Sequence, residues 1–287
     1  FYPARPEALT RELAGYLRST GEKRSAVGCV VPHAGIMYSG HVAGAVYGQL
    51  QLPTHFIILC PNHTGQGVAL AIMTEGSWET PLGDATIDSG LARALKQACA
   101  RLEEDIEAHR FEHSLEVQLP FLQQLLAEFR FVPIAIGVGR YPPLEELGHA
   151  VAAVVAKTGE PVLVVASSDM NHYESDECTR RKDRKAIDCI LALDPKGLFD
   201  TVQREQISMC GYGPTVAMLT AAKDLGAREA ELIRYATSGD VTGDRSAVVG
   251  YAGIIVGLVD TLGRTFLPML IRVFADREVA NAAGPSG

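Results

Sequence analysis

Short apolar runs rich in β-branched residues alternate along this 287-residue chain with stretches whose apolar residues recur at helical spacing. This alternation is the strongest constraint on the fold, because it is typical of a largely buried sheet covered by helices. Six runs predict strands: 26–31, 55–60, 131–136, 161–166, 231–236 and 247–258. The sequence therefore predicts an α/β fold with a central parallel or mixed sheet flanked by helices.

Three stretches between these strands predict helices. Residues 89–105 carry leucines at helical spacing, and residues 142–157 begin with proline, which is common in the first turn of a helix. In "DPKGLFDTVQRE", Asp194 can cap a helix that begins at Pro195. These stretches supply the helices that the sheet needs on its faces.

The alternation continues without a Pro-, Gly- or Ser-rich linker to about residue 260. We therefore predict a single α/β domain over residues 1–260. Residues 261–287 are first amphipathic and then weakly polar, which predicts a peripheral C-terminal tail.

Composition disfavours several classes of protein. A net charge of −8, with lysine and arginine scattered along predicted helices, disfavours a nucleic-acid binder. No apolar run reaches the roughly 18–20 residues that a membrane span needs. The six cysteines include no CxxC pair, so a disulfide framework is disfavoured. We expect a soluble protein of the reducing cytoplasm, with partners other than nucleic acid or membrane.

Histidines follow three of the predicted strands. "GCVVPH", "FIILCPNH" and "VLVVASSDMNH" end at His33, His63 and His172. Ligands of open α/β sheets bind at the carboxyl ends of strands, so these side chains can converge in space. Pro32 and Pro61 end their strands and stiffen the approach to each histidine. The spacing predicts a polar site at one edge of the sheet.

A cysteine adds a fourth element to this site. Cys210 lies in the turn "SMCGYGP", before a helix that we expect to open at Pro214, and a helix N-terminus favours the thiolate form. Two imidazoles and a thiolate can hold zinc, iron or copper with positions left open. Asp169, three residues before His172, can orient an imidazole or hold a ligand water.

The same residues have structural explanations. A single histidine after a strand is more often a hydrogen-bonded structural residue than a ligand. Cys210 can be a small, inert, buried thiol, as we expect for four other cysteines: Cys29, Cys60, Cys99 and Cys189. The spacing of these residues alone supports a metal site and a structural role about equally.

The segment "FEHSLEVQLPFLQQLL" places His113 and Glu116 three residues apart on one helical face, where they can bind metal. Pro120 makes the extent of that helix doubtful. We favour the structural interpretation, in which the segment's leucines pack a helix on the sheet, Glu116 caps or pairs, and His113 is a pocket wall.

Two other motifs are weak. Residues 237–251 resemble a phosphate-binding loop but lack the GxxxxGK[ST] order, so a connecting loop is expected. Its charged residues predict local ion pairs: Asp240, Asp244 and Arg245. Ser167 and Ser168 suggest a hydrolase, yet no G-x-S-x-G motif is present.

Seven ordered motifs resemble those of the Memo family, and the resemblance covers residues 1 to about 258. They are "FYP", "VPHAGIMYSG", "PNHTG", "EHSLEVQLPFL", "SSDMNHY", "MCGYGP" and "SGDVTGDRSAVVGYAG". The resemblance implies an α/β fold similar to that of the class III extradiol dioxygenases, which are non-haem Fe(II) enzymes. Bacterial family members accompany a radical-SAM protein and an AMMECR-type protein, in the AmmeMemoRadiSam system, which implies such partners here.

The resemblance also implies a ligand set. His33, His63 and Cys210 become the metal ligands, with Asp169 and His172 lining the same pocket. The dioxygenases have a carboxylate as third ligand, and a thiolate in its place shifts preference toward copper or zinc.

Three hypotheses follow for the function. The first is an Fe(II) oxidoreductase that acts on a small phenolic or carboxylate molecule, with His172 moving a proton. The second is a non-catalytic module that binds metal and a peptide or metabolite. The third is a zinc hydrolase that uses metal-bound water.

Overall fold

The computed structural model describes residues 1–17 and 23–257 of the chain. The predicted tail, 261–287, lies outside the described residues, so the boundary at residue 260 stays a prediction. No helix among the described residues is long and apolar enough to cross a membrane. All six cysteines are free. A location in the cytoplasm stays a prediction.

Helices and short helical turns occupy eleven described segments. They are α1 (Pro6–Tyr16), α2 (Ile36–Gln49), α3 (Ser89–Ala98), α4 (Glu107–Arg110), α5 (His113–Glu116), α6 (Leu119–Leu125), α7 (Tyr141–Thr158), α8 (Asp176–Leu191), α9 (Pro195–Arg204), α10 (Tyr212–Asp224) and α11 (Gly239–Thr242). The strands are β1 (Gly28–Val31), β2 (His55–Pro61), β3 (Leu70–Ile72), β4 (Ser77–Thr80), β5 (Gly83–Ile87), β6 (Glu103–Glu104), β7 (Arg130–Ile136), β8 (Val162–Ser167), β9 (His172–Glu174), β10 (Glu229–Thr237) and β11 (Val248–Gly257).

The strands form one mixed sheet, and its main path runs β10-β11-β1-β8-β2-β7-β3-β6. The centre is parallel, because β1, β8, β2 and β7 all point the same way. Antiparallel pairs flank it, with β11 beside β1 on one side and β3 beside β7 on the other. The described residues therefore confirm the predicted α/β fold with a mixed central sheet.

Helices cover both faces of this sheet. A Cβ on Gly28 of β1 would meet Met218 of α10, so that face lies under α10. Val256 of β11 pairs with Gly28 and shares its face. Gly253 lies three residues earlier on β11 and therefore on the opposite face, where its Cβ would meet Val46 of α2. The central strands are buried on both sides, which explains their continuous apolar runs.

All six predicted strands are present, but the structure adds five short ones. These are β3, β4, β5, β6 and β9, each of two to five residues. Segments this short do not show a period of two along the sequence, so the pattern could not reveal them.

The helix predicted over 89–105 is wrong in its second half. α3 ends at Ala98, where the backbone N–H of Cys99 bonds to the Leu95 carbonyl, and residues 103–104 pair with β3 instead. The other two predictions hold. α7 spans Tyr141–Thr158, and the Asp194 side chain caps α9 by accepting from the Gly197 N–H.

Candidate metal centre

Three parallel strands end at the same edge of the sheet and deliver the candidate residues. Val31, the last residue of β1, pairs with Ser167, the last residue of β8. On the other side of β8, Leu59 near the end of β2 pairs with Ala166. The loops that follow these strands therefore begin side by side, as the rule for ligand sites in α/β sheets predicts.

The structure brings His33, His63 and Cys210 together. One ligand atom from each lies within 4.8 Å of the other two. The Sγ of Cys210 lies 3.3 Å from Nε2 of His33, and the ring centroids of His33 and His63 are 5.3 Å apart. Metal bonds of about 2.0–2.3 Å in a tetrahedral site separate the ligand atoms by roughly 3.3–3.7 Å. The three side chains fit a single ion after small adjustments, and their role as ligands stays a prediction.

Glu112 sets the orientation of His63. Its carboxylate accepts hydrogen bonds from the backbone N–H of His63 at 2.6 Å and from Nδ1 at 2.9 Å. Burial raises the pKa of Glu112, but hydrogen bonds from His63 and Ser114 outweigh burial and hold it at about 2. An ionised carboxylate only accepts, so Nδ1 of His63 carries the proton and Nε2 has the lone pair that a metal needs.

Sequence reasoning missed this role of Glu112. It favoured a structural role for Glu116, and the carboxylate of Glu116 does accept a hydrogen bond from the Tyr2 hydroxyl and joins none of the candidate metal groups among the described residues. The available signal was the position of Glu112 before a helical turn, because its side chain caps α5 by accepting from the Ser114 N–H.

His33 is more deeply buried than His63. It is 1% exposed, and its Nδ1 lies 2.9 Å from the hydroxyl of Ser167. Burial, followed by the neighbouring His63 and His113, lowers the pKa of His33 well below its ordinary value. The ring is therefore neutral at physiological pH, which is the form that binds metal.

Asp169 positions backbone rather than an imidazole. Its Oδ1 accepts from the N–H groups of His33 and Ala34 at 2.8 and 3.2 Å, while Oδ2 lies 3.9 Å from Nε2 of His33. Burial raises the pKa of Asp169. Asp169 makes no direct hydrogen bond to the rings of His33 and His63, because Ser167 and Glu112 take that place. That it holds a ligand water, and that it is catalytic, stay predictions.

Cys210 is held close to the end of β8 by the glycine that follows it. A Cβ on Gly211 would lie 2.4 Å from the Ser167 carbonyl oxygen, so only glycine permits this approach. α10 begins at Tyr212, two residues earlier than predicted. The prediction of a favoured thiolate is wrong for the metal-free protein. Burial, and then the charge of Asp169, raises the pKa of the Cys210 thiol, although backbone hydrogen bonds lower it.

His172 lies next to this group. Its backbone N–H donates to Oγ of Ser208 at 2.7 Å, and its Nδ1 lies 2.9 Å from the Ser208 carbonyl oxygen. Because a carbonyl only accepts, Nδ1 carries the proton and Nε2 can accept one. Burial lowers the pKa of His33, and a proton accepted by His172 lowers it further. Its catalytic role stays a prediction.

His113 forms one wall of the pocket. Its ring stacks on His63 with centroids 5.0 Å apart and on Phe1 at 4.0 Å, and it meets His33 edge-on at 5.5 Å. His113 also joins His63 and Glu112 in a second group compact enough for a metal. Glu112 already accepts hydrogen bonds from His63 and Ser114, so we assign His113 to the wall.

Comparison with known proteins supports the fold and the family. A crystal structure of an uncharacterized protein from Escherichia coli K12 superimposes with a TM-score of 0.54, covering 79% of this chain and 98% of that one. The identity is 14%, so this likeness shows the fold alone.

Sequence relatives are much more similar. A MEMO1 family protein of Methanopyrus kandleri is 45% identical over 269 residues, which cover 89% of this chain and 95% of the relative. A MEMO1 family protein of Methanothermobacter thermautotrophicus is 43% identical over 264 residues, with 88% and 95% covered. The family model described as Memo-like protein matches residues 1–255. The chain therefore belongs to the Memo family.

Proposed function

We propose that this protein binds one first-row transition metal through His33, His63 and Cys210, with Fe(II) as the first choice, and that it acts on a small molecule in a redox reaction. The observation that supports the proposal is the grouping of the three ligand atoms within 4.8 Å of one another. Fe(II) bound by three protein ligands supplies redox chemistry with open positions for further ligands.

The protein's own residues prepare this site. Glu112 holds His63 so that Nε2 is the nitrogen with the lone pair. Burial keeps His33 neutral. Cys210 must release its proton before its sulfur can bind a cation, so metal uptake is coupled to proton release. His172, with Nε2 available to accept a proton, is the proposed acid or base for the substrate.

The thiol in the ligand set favours a second candidate. A soft sulfur ligand shifts preference toward zinc or copper, and zinc held by histidine and cysteine with one open position is a hydrolytic arrangement. A zinc hydrolase therefore competes with the iron protein. A non-catalytic metal-binding module uses the same three residues and differs only in lacking turnover.

Metal content after anaerobic purification tests the proposal. We expect about one iron per chain by elemental analysis and an Fe–nitrosyl signal in electron paramagnetic resonance after nitric oxide is added. His63→Ala is expected to lose that signal. His149→Ala is the matched control, because that ring is exposed and pairs with Asp224 away from the site. Full metal stoichiometry in Cys210→Ala would show that the ligand set is wrong.

Turnover separates the three functions. Oxygen consumption by the iron-loaded protein with small phenols or carboxylates supports the oxidoreductase. Activity restored by zinc alone supports the hydrolase, and tight binding without turnover supports the module. A radical-SAM protein and an AMMECR-type protein are the proposed partners, and the cytoplasm is the proposed location.

A further inference from the structure

Ser167 makes an unusual set of contacts beneath the candidate site. It is the last residue of β8 and is fully buried. Its Oγ lies 2.6 Å from the carbonyl oxygen of Ser114, 2.9 Å from Nε2 of Gln118 and 2.9 Å from Nδ1 of His33. Three partners and its own Cβ fill the tetrahedral positions around this oxygen.

The direction of two of these hydrogen bonds is fixed. A carbonyl oxygen only accepts, so the single proton of the Ser167 hydroxyl points to Ser114. The amide of Gln118 is fixed at both ends. Its Oε1 accepts from the Tyr47 hydroxyl at 2.9 Å, and its Nε2 lies 3.0 Å from the Pro32 carbonyl oxygen. Nε2 must therefore donate to Ser167.

One lone pair of the Ser167 oxygen is left, and it faces His33. Because that oxygen has no further proton to give, Nδ1 of His33 must donate. The imidazole then carries its proton on Nδ1 and presents the lone pair of Nε2 to Cys210, whose sulfur lies 3.3 Å away. Ser114, Gln118 and Tyr47 are also fully buried, so bulk water does not reach these hydrogen bonds and loosen them.

We propose that Ser167 is a positioning residue of this site, which fixes the tautomer of His33 by accepting a hydrogen bond from Nδ1. The effect on metal binding rests on the proposed function, whereas the tautomer itself does not. Gln118 and the Ser114 carbonyl act through Ser167, because together they leave its oxygen able only to accept from the ring.

The contact between Ser167 and His33 resembles the serine–histidine pair of a hydrolase, but here the imidazole donates the hydrogen bond and the serine oxygen accepts it. A nucleophilic serine gives its proton to the imidazole and needs an open face toward substrate. Ser167 gives its proton to a backbone carbonyl and is enclosed on every side. The same geometry thus assigns it to orientation of the ring and not to attack on a substrate.

The tautomer can be measured in the metal-free protein by nitrogen-15 NMR of labelled histidine, with the His33 signals identified by their loss in His33→Gln. We expect a protonated, pyrrole-type Nδ1 and an unprotonated, pyridine-type Nε2. Ser167→Ala is expected to mix the two tautomers and to weaken metal binding about 10- to 100-fold, as the loss of such partners does at other metal sites.

Ser39→Ala is the matched control, because this buried serine bonds to the Ala34 carbonyl beside His33 and not to the ring. It should leave the His33 signals unchanged. A wild-type His33 with its proton on Nε2 would overturn the proposal without any variant, even where Ser167→Ala does not fold. Unchanged tautomer and metal affinity in a folded Ser167→Ala would overturn it too. The expected tautomer in a protein that binds no metal would leave Ser167's role intact and refute the proposed function.

Discussion

Three histidines of the candidate site, His33, His63 and His172, each have Nδ1 held by a residue from another part of the chain. Ser167 holds His33, Glu112 holds His63, and the Ser208 carbonyl holds His172. In these three cases the protein binds Nδ1 and leaves Nε2 available. A metal site and a general base both need this arrangement, because each depends on an imidazole lone pair in a fixed direction.

Glu112→Gln is expected to weaken metal binding about 10- to 100-fold. Both carboxylate oxygens accept from N–H donors of His63, so an amide NH₂ in place of either oxygen faces a donor and breaks one of the two bonds. Competition with a chromophoric chelator measures the affinity. Glu116→Gln on the same helical turn is the control, since its partner is Tyr2. Equal affinities for the two variants would contradict the role of Glu112.

The sequence predicted which residues of the site meet but not how they are held. Strand-end spacing pointed to His33 and His63, and the glycine-flanked turn pointed to Cys210. The hydrogen-bond partners Glu112 and Ser167 come from segments 49 and 134 residues away, and no local pattern encodes that pairing. The neutral state of Cys210 was also out of reach, because burial depends on the packed structure.

At the level of whole elements, α8 is joined to the sheet by a buried carboxyl group. Asp183 accepts from the Asn171 N–H at 2.9 Å and from the Tyr235 hydroxyl at 2.7 Å. Asn171 in turn accepts from the N–H of Ser208, the residue that holds His172. Burial raises the pKa of Asp183 to about 7, although both hydrogen bonds lower it.

This carboxyl group predicts a pH-dependent stability. Asp183 keeps its proton in the folded protein up to about pH 7 but loses it near 3.8 in the unfolded chain. Between these values the folded state binds more protons, so raising the pH lowers the free energy of unfolding, by up to about 4 kcal/mol. Asp183→Asn mimics the protonated carboxyl group. The variant is expected to lack the part of the fall in the free energy of unfolding that deprotonation of Asp183 causes.

Denaturant unfolding of both proteins from pH 4 to pH 8 measures this effect, and the difference between the two curves isolates Asp183 from other groups. Asp188→Asn on the same helix serves as control, because its side chain is exposed and pairs with Arg184. Parallel curves for wild type and Asp183→Asn would contradict the prediction.

Two helical glycines predict opposite changes in stability. A Cβ on Gly148 of α7 would lie 2.5 Å from the Thr220 Cβ and 2.7 Å from the Ala217 carbonyl of α10, so Gly148→Ala is expected to cost about 1–3 kcal/mol. Among the described residues nothing lies within 4 Å of a Cβ added at Gly15 of α1, and Gly15→Ala is expected to gain about 0.5–1 kcal/mol. Equilibrium denaturation measures both, and the same sign for the two would refute the close packing of α7 on α10.

Across the molecule, the sequence predicted the class of fold but not the order of the strands. Strands buried on both faces read as continuous apolar runs, so β1, β2, β7 and β8 were visible in the sequence. Strand order depends on where each connection crosses the sheet, which local patterns do not record. β11 is the clearest case, because the last predicted strand lies between β10 and β1, one strand in from the edge of the sheet.

That position of β11 leads to a prediction about the C-terminal part of the chain. The family model ends at residue 255, two residues before the end of β11. A chain that ends at residue 260 is therefore expected to unfold within a few degrees of the full-length protein and to bind the same amount of metal. A chain that ends at residue 247 lacks β11 and exposes the edges of β10 and β1, so it should not fold. Thermal unfolding followed by circular dichroism and elemental analysis compares the three. Loss of fold or of metal in the chain ending at 260 would show that residues 261–287 contribute to the domain and are not a peripheral tail.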